Sequence, residues 1–175
     1  MTSVTYLRHA PRHIQESIAD DLETALMALG WLGPTGVPFG TKPVDVQRKR
    51  MDESEMKAIT GNTVVISWGD EPDWVEEELG GGLVSVSPVM FVDVVGVSDP
   101  ISLAIASDVK DVLAGTHPNY SRFHQVRDQT QTPPVPVPGW QVEITDVIRE
   151  RPTADWRRYW QTVKATATVY YPGPE

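Results

Sequence analysis

Leu83-Val84-Ser85-Val86-Ser87-Pro88-Val89-Met90-Phe91-Val92-Asp93-Val94-Val95, followed by Gly96-Val97-Ser98-Asp99-Pro100, is the stretch that decides the fold. Apolar and β-branched residues run almost unbroken through the first part, which reads as one long strand. Gly96 to Pro100 is a turn. Asp99 is suited to cap a helix and Pro100 to occupy its first position, since neither needs an intrahelical N–H partner there. Ile101, Leu103, Ala104, Ile105, Val109, Val112 and Leu113 recur at helical spacing and predict its buried side, with Asp108, Lys110 and Asp111 outward. Gly115 supplies a left-handed cap. One strand–turn–helix unit is legible from its punctuation alone.

Outward from this unit, residues 12–32 predict a second helix, with Ile14, Ile18, Leu22, Ala25, Leu26 and Leu29 as its apolar stripe. Pro11 fits its first turn and Gly30 its end, which leaves residues 1–11 as an N-terminal arm. Glu16, Asp20, Asp21 and Glu23 fall on other faces. Residues 43–51 and 62–68 read as strands, with the Arg48-Lys49-Arg50 run as a solvated strand end and residues 52–61 as a turn or helical turn between them. Residues 140–148 and 158–171 form a hairpin, the return strand placing Val163, Ala165, Ala167, Val169 and Tyr171 on one face. Residues 116–139 predict an extended loop or arm, because Pro133-Pro134-Val135-Pro136-Val137-Pro138 locks φ at every second position. The order of elements predicts a single α+β domain over residues 1–175: a mainly antiparallel sheet of about five strands, two helices packed on one face, and a long Pro-rich loop.

Composition limits function. A chain of 175 residues can remove roughly 70 % of its unfolded surface from water. A formal net charge of −9 argues against a domain whose task is to grip nucleic acid, because phosphate needs a basic face. It permits a surface past which nucleic acid slides without adhering. With no cysteine, disulfide frameworks, thiolate nucleophiles and zinc–cysteine sites drop out, and folding in a reducing compartment is the expectation. No signal peptide and no run of ~20 apolar residues is visible, so the expectation is a soluble chain.

The search for chemistry yields little. His9 and His13 stand four apart, a helical metal spacing, but Pro11 lies between them and no third ligand is near; His117 and His124 read as surface imidazoles. Gly80-Gly81-Gly82 precedes a strand instead of opening a helix, so it is not a phosphate fingerprint. No Gly-x-Ser-x-Gly elbow occurs. From Asp70 to Asp99 there are eight acids (Asp70, Glu71, Asp73, Glu76, Glu77, Glu78, Asp93, Asp99) and no Lys or Arg. A solvated acidic loop is the plain reading of Glu76-Glu77-Glu78. Of the six tryptophans, Trp74, Trp156 and Trp160 sit on loop or hairpin ends, where they either fill gaps at a core edge or anchor a partner. No catalytic residue, cofactor or metal is assigned, and the expectation is that the chain is not an enzyme.

The unit from Val89 to Gly115, the preceding helix ending in Gly30-Trp31-Leu32-Gly33, and the closing strand Trp160-Gln161-Thr162-Val163-Lys164-Ala165-Thr166-Ala167-Thr168-Val169-Tyr170-Tyr171 resemble tail terminator (tail-completion) proteins of long-tailed bacteriophages. The likeness is one of pattern and spans residues 12–171. It implies a structural virion protein at the tail–neck junction, assembled in the host cytoplasm. Such a protein forms a homo-oligomeric ring, generally a hexamer, that caps the major tail tube protein and joins the head-side connector, with DNA passing through unbound. In that setting Asp70, Glu71, Asp73, Glu76, Glu77 and Glu78 would face the channel. Trp74, Pro133, Pro134, Pro136, Trp156 and Trp160 would meet neighbouring subunits or partners. Two alternatives stand beside it: a head-closure (stopper) protein of the phage neck, and a small metal-dependent hydrolase or ligand-binding domain using the acids of the 70–78 loop.

Overall fold

A computed structural model describes residues 3–31, 44–48, 51–68, 77–80, 82–150 and 159–172. In chain order these form α1 (Ser3–Ala28), β1 (Val44–Gln47), α2 (Glu53–Lys57), β2 (Asn62–Trp68), β3 (Glu77–Gly80), β4 (Leu83–Val86), β5 (Val89–Val95), α3 (Asp99–Ala114), β6 (Phe123–Asp128), β7 (Val135–Glu150) and β8 (Trp160–Pro172).

The long strand predicted over residues 83–95 is present as β4 and β5, two pieces sharing one register. Both pair antiparallel with β8, from Leu83 opposite Pro172 to Val95 opposite Trp160, with no slip between the pieces. Pro88 has no N–H and interrupts the ladder there, yet its carbonyl accepts from the Ala167 N–H at 3.0 Å. On the other side of this composite strand, β2 pairs with β5 and β3 with β4, both antiparallel. Beyond β8 lie β7 and then β6, again antiparallel.

The expected sheet requires correction in two respects. It is mixed, because β1 joins β2 in parallel; the 14 residues 48–61, including α2, make the crossover that a parallel pair needs. It has eight strands among the described residues in place of about five, and α2 is a third helix. The added strands β3 and β6 lie within segments whose glycine, proline and charge signal turns. Most of the predicted loop over 116–139 is therefore a hairpin, with β6 and the start of β7 as its arms. Its prolines sit at a sheet margin, where a missing N–H costs least.

Side chains of α1 and α3 share one buried cluster with the predicted inner face of β8, Val163, Ala165, Ala167, Val169 and Tyr171. Alternate β8 residues, Thr162, Lys164, Thr166, Thr168 and Tyr170, are half-buried on the other face. On that second face Met56 of α2 packs with Val65 and Val95, and Trp160 lies against them. Asp52 caps α2, accepting from the Glu55 N–H while the Glu55 carboxylate accepts from the Asp52 N–H.

Both long helices depart from prediction in detail. The backbone of residues 3–9, expected as an arm, is already helical, and Pro11 lies inside α1. Buried Ala10 and Ile14 flank that proline, and the Trp68 indole donates to its carbonyl at 3.2 Å, so tertiary contacts carry the helix through it. Ser98, not Asp99, takes the N-cap position of α3, and its side chain makes no capping hydrogen bond. The buried side of this helix includes Ser102 and Ala106, while Ala104 is exposed. Gly96 explains the small residue: a Cβ at Gly96 would stand 2.7 Å from the Ser102 nitrogen, so strand end and helix start touch backbone to backbone. Gly115 caps α3 at φ 65° as the sequence predicts.

Leu22 is completely buried in the main cluster. Leu22→Ala should cost roughly 2–5 kcal/mol, seen as a lower urea midpoint at unchanged slope. Gly96→Ala should also destabilise, through collision with Ser102 instead of a cavity; an unchanged midpoint would contradict the close approach.

Candidate functional site

Polar side chains of α1 fasten the helix to both margins of the sheet. On the β1 side, Gln15 Nε2 donates to the carbonyls of Arg48 and Ile66, each at 2.7 Å. The Arg48 guanidinium pairs with Asp20 and Glu23. Arg48 is thus half-buried in an ion-pair cluster, a correction to its reading as a solvated strand end; Lys49 and Arg50 lie outside the described residues. On the β6 side, Ser17 Oγ accepts from the Arg127 N–H at 2.9 Å, and His13 Nδ1 accepts from the Gln129 N–H at 3.1 Å. The outward backbone donors at that margin are covered by the helix. Asp21 takes the Arg127 guanidinium at 2.5 Å and His124 Nδ1 at 2.8 Å.

Near this second seam lies a cleft of about 430 Å³ whose lining includes Asp21, Thr24, Tyr120, Ser121, His124 and Arg127. His124 is buried on β6, which corrects its assignment to the surface, and its Nε2 has no hydrogen-bond partner. His117 does lie on the connection before β6, with its ring 4.9 Å from that of Tyr120. Burial opposes ionisation of Asp21, but the bonds from His124 and Arg127 outweigh it and hold this carboxyl below the usual aspartate range. The pair can orient an imidazole and keep a carboxylate charged. Ser121 Oγ accepts from the Phe123 N–H at 3.1 Å, so this hydroxyl is engaged with backbone.

The residues nominated from sequence for assembly are described only in part. Asp70, Glu71, Asp73, Trp74, Glu76 and Trp156 lie outside the described residues, whereas the backbone of Glu77 and Glu78 belongs to β3. Pro133, Pro134 and Pro136 are exposed, and Pro136 stands opposite Arg127 in the β6–β7 pair. Trp160 is turned to an internal task. Its Nε1 donates to Asp93 Oδ1 at 2.9 Å, and Thr162 Oγ1 donates to the same oxygen at 2.7 Å. Burial pushes the Asp93 carboxyl up, against these two bonds. His13, weighed as a metal ligand and not assigned as one, is buried beside Asp128, with 4.0 Å between Nε2 and Oδ1. Among the described residues no group of three or more His, Asp or Glu is placed to hold a metal ion, and no helix is long and apolar enough to cross a membrane.

The strand read over residues 140–148 is present within β7, but the bulge in it was missed. After Thr145, paired with Thr166, the register to β8 shifts and Ile148 stands opposite Lys164. Asp146 takes φ 51° at this bulge. Ile148 is 49 % exposed. The only signal in the sequence was a break in alternation at Asp146-Val147-Ile148.

The two aspartates give opposite pH signatures. Asp21, with its folded pKa lowered, contributes stability that is complete above the ordinary aspartate value of about 3.9 and is lost as pH falls through its folded value. Asp93, with its folded pKa raised, contributes stability below that ordinary value and loses it as pH rises through the folded one. Thermal midpoints across acid pH should therefore fall less steeply for Asp21→Asn than for the parent, and Asp93→Asn should lose less stability at neutral pH than at pH ~3. No protein-family model matches the chain, and no curated protein matches its sequence.

Proposed function

We propose that the chain is a structural virion protein of a long-tailed bacteriophage: a tail terminator whose copies form a ring capping the tail tube and joining it to the head-side connector. The observation that carries this reading is a sheet whose pairing capacity is not used up within the subunit. Residues 145–150 bond to β8 on one side only among the described residues, and Ile148 is exposed there. A subunit of a ring needs such edges, because its neighbours complete them. The composite strand β4–β5, the Gly96 turn, α3 and β8 are the segments on which the resemblance rests. The acid-only run from Asp70 to Asp99 suits a channel wall that phosphate passes without adhering. In this reading the protein is not an enzyme, and its site in the virion is the tail–neck junction. A stopper protein of the neck would use the same edges.

A second reading has one observation in its favour. The cleft lined in part by Asp21, His124 and Arg127 would suit a small ligand-binding domain.

Native mass measurement with negative-stain imaging of the purified protein separates the two. Rings or stacked tubes are expected; a stable monomer at every concentration would sink the terminator reading and favour the ligand-binding one. Reversal of Glu76, Glu77 and Glu78 to lysine should slow DNA passage or tail joining, and unchanged infectivity would remove the channel assignment.

A further inference from the structure

The cleft against which Asp21, His124 and Arg127 stand draws its walls from α1, the end of α3, the connection before β6, and β6 itself. Tyr120, Phe123 and Val112 give it an apolar, partly aromatic lining. Its volume of about 430 Å³ falls within the range of small-molecule sites, roughly 300–1,000 Å³. What it could hold is decided by which of its polar groups are already spent.

Asp21 is spent. Arg127 bonds to one of its oxygens and His124 Nδ1 to the other, so its charge is already matched by a guanidinium and is not left for a cationic ligand. Thr24 Oγ1 donates to the Asp20 carbonyl at 2.9 Å, and the Tyr120 hydroxyl donates to the Ala25 carbonyl at 3.3 Å, so both protons are used within α1. The remaining groups are donors. Of the five guanidinium N–H groups of Arg127, one goes to Asp21 and one to the Ser17 carbonyl, which leaves three. Ser121 Oγ accepts from the Phe123 N–H at 3.1 Å, and its own hydrogen is uncommitted among the described residues. Asn119 engages its backbone N–H with His117 Nδ1, whereas its side-chain amide makes no hydrogen bond among the described residues and the residue is exposed.

We propose that this cleft binds a small organic acid: a flat apolar body carrying one carboxylate. The carboxylate accepts from Arg127, Ser121 and Asn119, where a charged acceptor makes the stronger bonds. The flat body lies against Tyr120 and Phe123. A cation of the same size meets a carboxylate already occupied and a guanidinium of its own sign. The inference rests on the reading of the cleft as a ligand site and names the ligand class; it does not depend on whether copies of the chain form a ring.

The test uses the full chain, labelled with nitrogen-15, and two probes of equal size and opposite charge, benzoate and benzylamine. Benzoate should move the amide signals of residues 119–127 saturably, and benzylamine should bind at least ~10-fold more weakly, a difference of about 1.4 kcal/mol. Ser121→Ala and Asn119→Ala, both at exposed positions, should each weaken benzoate several-fold, with the urea midpoint confirming that each variant still folds. Benzylamine binding at these residues as tightly as benzoate would overturn the ligand class and leave the cleft as a ligand site. Benzoate affinity unchanged in both variants would overturn the assigned donors and with them the proposal. No saturable shift at residues 119–127 with either probe at millimolar concentration would overturn the proposal and the ligand-site reading together.

Discussion

The attachment of one helix to both margins of the sheet is the constraint on which the described fold depends. β1 and β6 are at opposite ends of the strand order, yet Arg48 after β1 and Arg127 in β6 are both tied to carboxylates of α1. A sheet can meet one helix at both ends only by curling around it, a shape that follows from strand twist once something fills the concavity. The filling is apolar, Ile14, Ile18, Leu22 and Leu26, each fully buried. The polar seams set where each margin stops. Burial supplies the energy and the seams supply the register.

This arrangement explains why acids on α1 escaped a functional reading. Asp20, Asp21 and Glu23 lie close together beside the apolar stripe of a helix, where a solvated polar face is sufficient explanation from sequence. Their partners are far away in sequence: Arg48 is 28 residues from Asp20, and His124 is 103 residues from Asp21. Neither pairing leaves a mark in local spacing. The same holds for His13 and Ser17, whose side chains accept from the backbone N–H groups of Gln129, just after β6, and Arg127, within it.

The inner and outer faces of the sheet serve different ends. The inner face holds the main core, whereas the outer face carries a smaller apolar group at Met56, Val65 and Val95 and otherwise alternates threonine with half-buried side chains. Trp160, named from sequence as a contact residue, packs against that smaller group and is half-buried. The exposed apolar residues at Leu79 and Ile148 occupy sheet edges instead. The proposed ring thus draws its contacts from backbone edges and single aliphatic side chains more than from aromatic anchors.

Local rules were sufficient for whatever is encoded by spacing within one element. The stripe of α1, the inner face of β8, the composite strand through Pro88 and the Gly115 cap could all be read from period, proline and glycine, because each depends on neighbours within a few residues. Three features required the folded chain. The parallel entry of β1 depends on a crossover, β3 and β6 form strands within turn-rich sequence because an existing edge offers hydrogen bonds, and the Asp146 bulge turns Ile148 outward because register is a property of two strands together. Periodicity records which side of an element is apolar; which partner that side meets is decided by distant contacts that no local window contains.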